Sequence, residues 1–294
     1  MENAYKCCQL CGRRCGIDRT ERALGFCRSD AVPKIAHADL HRWEEPIISG
    51  ERGSGTIFFS GCSLGCIFCQ NNLISKEPRG RAVDGEELAG IMLDLAKKGA
   101  HNINFVTPTH FVPSVVSAVS LARERGLAIP IVYNTGSYDT VQTVRLLEDT
   151  VDVFLPDYKY YKSDTAARYS TASDYPEVAF AAISQMVRQK PEPRISAGLM
   201  TSGVIVRVLL LPSHLAEAKL ALRRLYDAFG SRIYLSLMCQ YTPIPNMPKP
   251  LDRRVSIAEY SELVAYAERI GVVNGFTQEP SSASEAYIPH FNLI

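Results

Sequence analysis

The sequence predicts an α/β protein: a partial (β/α)6-type barrel of parallel strands over residues 51–294, preceded by a small cysteine-rich cap over residues 1–50. From Thr56 onward, apolar runs rich in β-branched and aromatic residues alternate with segments of helical periodicity, the mark of parallel βα units. The first of these runs, Thr56-Ile-Phe-Phe-Ser-Gly, leads into Cys62, Cys66 and Cys69, spaced C-x3-C-x2-C. The segment before it, residues 5–50, holds Cys7, Cys8, Cys11, Cys15 and Cys27 with arginines between them.

In chain order, the cap comes first. Cys8-x2-Cys11-x3-Cys15-x11-Cys27 supplies four thiolates, with Cys7 to spare, enough for a tetrahedral zinc site or an auxiliary iron–sulfur cluster. The spacing leaves these two open, with reduced thiols in a small core as a third option. Arg13, Arg14, Arg19, Arg22 and Arg28 are offset by Asp18, Glu21 and Asp30 and lack an aromatic stacking set, so a solvated face is expected rather than a nucleic-acid surface.

Seven strands are expected, at 56–60, 102–106, 129–134, 151–156, 204–211, 232–238 and about 272–278. Between them, Asp84 with Glu87 makes a capping box ahead of the Leu88, Ile91, Met92, Leu95 stripe, and Gly99 can end that helix. Pro113 suits the first turn of a helix running to Arg125. Further helices are expected at 139–149, 176–189, 214–229 and 256–270, the last opened by a second capping box, Ser256 with Glu259.

Function in such folds gathers at the carboxyl ends of the strands, where the βα loops meet. Those ends carry the cysteine loop, Thr107-Pro-Thr-His110, Asn134-Thr-Gly136 and Asp157-Tyr-Lys159. Arg207 lies inside Val-Ile-Val-Arg-Val-Leu-Leu-Leu on the face of Ile205 and Leu209, so it needs an anionic or carbonyl partner, either a bound cofactor or a salt bridge to Asp157. His110 is a proton donor or a simple hydrogen-bonding group. Cys239 reads as a buried thiol, Glu279 as a substrate contact or a solvated charge. Pro243, Pro245, Pro248 and Pro250 stiffen a segment that is a lid, a substrate rim or a crossover.

The three clustered cysteines need a tight loop, for which Gly61 and Gly65 give backbone freedom. Zinc and ordinary electron-transfer clusters draw a fourth ligand from the chain, and none follows Cys69 at short range. The spacing therefore suggests a cluster with one iron left open; buried structural thiols or half a zinc site is the alternative. Cys62-x3-Cys66-x-Phe68-Cys69 resembles the signature of the radical S-adenosylmethionine (radical SAM) enzymes, with an aromatic residue before the third cysteine. Across residues 5–294 the chain looks most similar to the branch related to the pyruvate formate-lyase activating enzyme, through Val106-Thr-Pro-Thr-His110, Tyr133-Asn-Thr-Gly136 and Gln240-Tyr-Thr-Pro.

That resemblance implies a 4Fe-4S cluster on Cys62, Cys66 and Cys69 whose open iron chelates SAM. One-electron cleavage then yields a 5'-deoxyadenosyl radical that takes hydrogen from a substrate. It further implies an electron donor such as flavodoxin or ferredoxin, Phe68 near the adenine, and Thr107, Asn134, Asp157, Lys159 and Arg207 around the cofactor. Glycyl-radical activating enzymes carry Gly-Gly-Glu after the second strand; here Thr107-Pro108-Thr109 stands instead. Three functions remain open on sequence: activation of a protein such as a glycyl radical enzyme, radical modification of a small molecule or peptide, and a non-catalytic zinc protein that binds nucleic acid through the cap.

Composition narrows the setting. With 46% hydrophobic and 21% charged residues and a net charge of +1, the chain reads as globular and not as a general polyanion binder. No apolar run approaches the ~20 residues that cross a bilayer, and the polar start is unlike a signal peptide, so a cytoplasmic location without membrane contact is expected. Nine cysteines in clustered spacings favour metal ligation over disulfides.

Overall fold

The computed structural model describes residues 3–77 and 79–279; Pro280, His290 and the rest of 280–294, the end of the expected barrel domain, lie outside the described residues. In order the elements are α1 (Asn3–Lys6), β1 (Lys34–His41), α2 (Pro46–Ser49), β2 (Ser54–Phe59), α3 (Asn72–Ser75), β3 (Arg81–Ala82), α4 (Gly85–Lys97) and β4 (Ile103–Val106). There follow α5 (Val112–Glu124), β5 (Ile131–Thr135), α6 (Val141–Arg145), β6 (Val153–Pro156), α7 (Ser163–Ser170), α8 (Tyr175–Gln189) and β7 (Arg194–Ser196). The chain closes with β8 (Leu199–Leu209), α9 (Leu215–Phe229), β9 (Tyr234–Met238), α10 (Ile257–Arg269) and β10 (Gly275–Thr277).

The strands lie in the order β10-β9-β8-β6-β5-β4-β2-β1-β3. From β2 to β10 this order follows the sequence, and every neighbouring pair on that path is parallel. Each link contains at least one helix, as parallel pairing requires. These seven strands are the seven expected from the apolar runs. β1 pairs antiparallel with β2 and β3, and β7 with β8.

Residues 34–41, expected in the cap, are therefore a strand of the sheet. They were hidden because Lys34, His37, Asp39 and His41 interrupt the apolar pattern: this strand lies near the sheet edge and is only half buried. β3 and β7 are too short and exposed to leave a pattern. The helix expected at 139–149 ends at Arg145, and α7 escaped notice because its sequence, Ser-Asp-Thr-Ala-Ala-Arg-Tyr-Ser, is short and polar on average, with few large apolar residues to mark a stripe.

The two largest cores divide along the sheet. The larger packs helices against the sheet, with Leu88, Met92 and Leu95 of α4 and Val115, Ala118, Val119 and Ala122 of α5 all buried. Full burial of each large aliphatic side chain contributes ~1.5–3 kcal/mol. A smaller core on the other face joins Val132, Val153, Leu155 and Ile205 to Ile48 of α2. Alternation along β5, β6 and β8 then places Asn134, Asp157 and Arg207 on that same second face, beyond its apolar floor.

Both expected capping boxes form. The Asp84 carboxylate accepts from the Glu87 N–H at 2.8 Å while the Asp84 N–H donates to the Glu87 carboxylate at 3.1 Å, and Ser256 with Glu259 repeats the arrangement. Replacing Asp84 by Ala leaves an N-terminal donor of α4 unpaired and should lower stability by ~1 kcal/mol, read as a shift of the urea midpoint at unchanged slope.

Candidate active site

The cysteine loop begins where β2 ends. Gly61 and Gly65 take φ of +85° and +68°, the left-handed region that favours glycine. They are needed for space as well: a Cβ on Gly61 would lie 2.5 Å from the Cys27 carbonyl oxygen, and one on Gly65 2.8 Å from the Phe26 ring. The resulting turn brings the three thiols within electrostatic reach of one another. Burial pushes the Cys62 thiol up to about 12, with Cys66 and Cys69 adding repulsion; Cys69 is raised by burial and by Cys66.

Each sulfur accepts at least one hydrogen bond. The Leu64 N–H reaches Cys62 at 3.4 Å, the Ser170 hydroxyl reaches Cys66 at 3.1 Å, and the Ser75 hydroxyl reaches Cys69 at 3.4 Å. Donors aimed at sulfur stabilise the thiolate form that binds metal. Cys239 is not a fourth member of this set: it is buried against the Gln278 and Glu279 carbonyls. Among the described residues no three His, Cys, Asp or Glu side chains, the cysteines of the loop and of the cap included, are drawn together closely enough to hold a metal ion as they stand. Three thiols with a donor each and no fourth protein sulfur suit a polynuclear cluster, which spreads its ligands over several metal atoms. All nine cysteines are free thiols.

The loop opens on a cavity of about 260 Å³ at the carboxyl ends of the parallel strands. Every residue singled out for the cofactor, Phe68, Thr107, Asn134, Asp157, Lys159 and Arg207, lines it together with Cys62, Cys66 and Cys69. Phe68 is 6% exposed and is met edge-on by Tyr160, Tyr169 and Tyr241. Thr107 sits at φ +58°, costly for a β-branched residue.

Arg207 resolves its own question. Its Nε donates to Asp157 at 2.8 Å, one Nη to Glu44 at 3.2 Å and the other to the Asn134 side-chain oxygen. Lys159 Nζ donates to the second Asp157 oxygen at 2.6 Å. Burial alone would raise the Asp157 carboxyl, but Arg207 and Lys159 outweigh it and hold it below the usual carboxylate range. The Lys159 ammonium also feels Cys66 and Cys69, placing positive charge beside the thiols.

Glu44 is the member that sequence reasoning missed. Burial raises its carboxyl, and it is held by Arg207, Asn104 at 3.0 Å and Asn134 at 3.3 Å. The signal available was an acidic pair, Glu44-Glu45, just ahead of Pro46 and after a segment of strand-like alternation.

His110 is 1% exposed and donates from Nε2 to the Ser60 carbonyl at 2.8 Å. Burial, with Arg19 adding repulsion, pushes its pKa down to about 3, so it stays neutral at physiological pH and is no proton donor there. Of the cap cysteines, Cys8, Cys11 and Cys27 are buried, and Cys7 and Cys15 are exposed. Burial pushes Cys11 up to about 12, with Cys27, Cys8 and Cys15 each adding repulsion. The interleaved arginines are not all a solvated face. Arg19 is 1% exposed and donates to the carbonyls of Ser29 and Asp30 in the cap and of His110 past the end of β4, pairing oxygens that burial cuts off from water.

The fold and the site agree with the family model of the Radical SAM superfamily, which matches residues 56–196. That superfamily implies a 4Fe-4S cluster and SAM. An uncharacterized protein of Methanocaldococcus jannaschii is 28% identical over 284 residues, which cover 91% of this chain and 76% of that protein. Among solved structures, Streptococcus suis SuiB is similar in fold, with a TM-score of 0.51 at 12% identity over 75% of this chain and 47% of SuiB. SuiB bound to S-adenosylmethionine and SuiB bound to its precursor peptide SuiA each score 0.50 at 12% identity. They cover 74% of this chain and 48% and 46% of SuiB, so the chain spans about half of SuiB's length. Among the described residues no helix is long and apolar enough to cross a membrane.

Asp157→Asn removes the charge shared by two buried cations, and the metal-free protein should lose ~3 kcal/mol in urea unfolding; a loss below ~1 kcal/mol would show that solvent in the cavity screens the pair. For His110 the folded pKa lies below the unfolded ~6.5, so its stabilisation is complete above that pH and is lost as pH falls toward 3. The apparent Tm should therefore fall steadily from pH 6.5 to 4, and His110→Gln should flatten that slope.

Proposed function

We propose that Cys62, Cys66 and Cys69 hold a 4Fe-4S cluster at which SAM binds, and that the enzyme takes a hydrogen atom from a peptide or protein. The observation that carries this reading is the convergence of three hydrogen-bonded thiols with no fourth cysteine and a charged, strand-end cavity in a chain that matches the Radical SAM family model over residues 56–196. When bound, cluster and SAM supply the one-electron cleavage and the carbon radical that abstracts hydrogen. Lys159 and the three sulfur-directed donors favour the thiolate state of the ligands, and Arg207 with Asn134 and Asp157 presents polar groups to SAM. The buried tyrosines around Phe68 exclude water from one side of the cavity.

A second opening of about 420 Å³ shares Trp43, Glu44, Arg207, Met238 and Gln240 with the first. Two adjoining openings of this size leave room for a substrate larger than a small molecule, in keeping with the peptide bound by the similarly folded SuiB. A glycyl radical enzyme is one protein that fits this class; Thr107-Pro108-Thr109 in place of Gly-Gly-Glu argues for peptide modification first. We further propose that flavodoxin or ferredoxin delivers the electron, that Cys8, Cys11, Cys15 and Cys27 close around a second metal centre, zinc or iron–sulfur, only when metal binds, and that the strands curve into a partial barrel.

Anaerobic reconstitution with iron and sulfide, followed by dithionite and SAM, should yield 5'-deoxyadenosine. Cys66→Ala should reduce the yield to background, while iron remaining in that variant reports the cap centre. No product from the parent, or equal product from Cys66→Ala, sinks the reading.

A further inference from the structure

Arg13 stands between Cys11 and Cys15 in the cap, yet its guanidinium is spent on the cysteine loop. Nε donates to the Ser63 carbonyl at 3.0 Å and Nη2 to the Leu64 carbonyl at 3.1 Å. These are the two residues that follow Cys62 in the turn to Cys66. The same group reaches the carboxyl end of α7, with Nη2 donating to the Ser170 carbonyl at 2.8 Å and Nη1 to the Thr171 carbonyl at 2.6 Å. Ser170 is the residue whose hydroxyl donates to Cys66. The planar face of Arg13 lies 3.7 Å from the centre of the Phe26 ring, and that ring fills the space a Cβ on Gly65 would need.

One side chain thus ties three segments far apart in sequence: the cap, the turn between two of the three cysteines, and the helix that supplies a hydrogen bond to one of them. The turn has no regular secondary structure of its own. A flexible tether would let the sulfur positions drift, whereas a planar fork with carbonyls on both sides fixes direction as well as distance. The helix end adds to this, because its unpaired carbonyls attract a cation.

We propose that Arg13 is a positioning residue for the Cys62–Cys66–Cys69 cluster, and that the cysteine-rich cap, through it, sets the geometry of the cluster loop. This rests on the reading that these three thiols hold the cluster. The cap is then a clamp on the redox centre, and its own thiols, which flank Arg13 in sequence, hold the clamp in place.

The test uses the full-length, anaerobically reconstituted protein and compares the parent with Arg13→Ala, Arg13→Lys and, as a control, the exposed neighbour Arg14→Ala. Two readouts other than turnover are taken: the rate of iron release to a ferrous chelator, and the electron paramagnetic resonance signal of the reduced cluster with and without SAM. The SAM-responsive signal separates this cluster from any iron in the cap.

In both Arg13 variants iron release should rise on the order of tenfold, and the SAM-responsive signal should broaden into several species, with Arg14→Ala like the parent. Lysine keeps the charge but not the fork, so failure of Arg13→Lys to restore the signal supports positioning, and full restoration overturns it. Release within roughly twofold of the parent in both variants overturns the proposal. So does a loss of signal that merely tracks the unfolded fraction seen by circular dichroism. If Arg13→Ala does not fold, Arg13→Lys decides. A parent protein that holds iron but shows no response to SAM overturns the proposed function, and the iron-release comparison then still decides the clamp.

Discussion

Arg207 is a permanent cation near the carboxyl end of β8, and much of the interior face of the sheet follows from having to satisfy it. A lone guanidinium there would cost several kcal/mol, so the neighbouring strands bring Asp157 and Asn134 to it, and the segment after β1 brings Glu44. Asp157 is in turn shared with Lys159, which faces the thiols. The polar floor of the cavity is therefore a set of compensations around one buried charge. It is largely built before anything binds, which is the preorganisation a cofactor site needs. The segment that supplies Glu44 continues into α2, whose Ile48 seals the apolar end of the same face. One short stretch thus both plugs the interior and completes its electrostatics.

The second constraint is mutual repulsion among the cysteines. The Cys62 and Cys69 thiols, pushed up by burial and by the neighbouring Cys66, resist deprotonation until metal takes the place of protons. The fold answers with a donor on each sulfur, a cation nearby, and a cap seated against the loop at both of its left-handed glycines. The cap has only a small core, Tyr5, Cys8 and Leu10 with a few partners, and Arg19 and Arg13 join it to the rest of the molecule by hydrogen bonds to carbonyls. Metal on the cap cysteines would replace the core that so few residues cannot build.

What these arrangements do for chemistry is mostly geometric. The cavity collects the thiols, the strained Thr107 and the charged strand ends on one side of the sheet. The helices and the larger core hold the other side rigid. The opening shared with the second cavity leaves a route to the site along the strand ends. His110, which sits at the same end of the sheet, serves instead as a neutral hydrogen-bond donor under the loop.

By itself the sequence determined the seven parallel strands and the helices with capping boxes. These rest on local periodicity and on end signals that short stretches carry whole. It also determined the place of the cysteine loop and the set of residues around it, because parallel βα units always gather their loops at one end. Only the tertiary structure decided what those residues do to one another. It gave Arg207 its salt bridges, made Glu44 part of the site, drew Lys34–His41 into the sheet, and turned two cap arginines from expected surface charges into ties. Each of these depends on contacts between residues tens to well over a hundred positions apart. No local pattern records such contacts, since a polar residue half buried on an edge strand or spent on a distant carbonyl looks in sequence like one facing water.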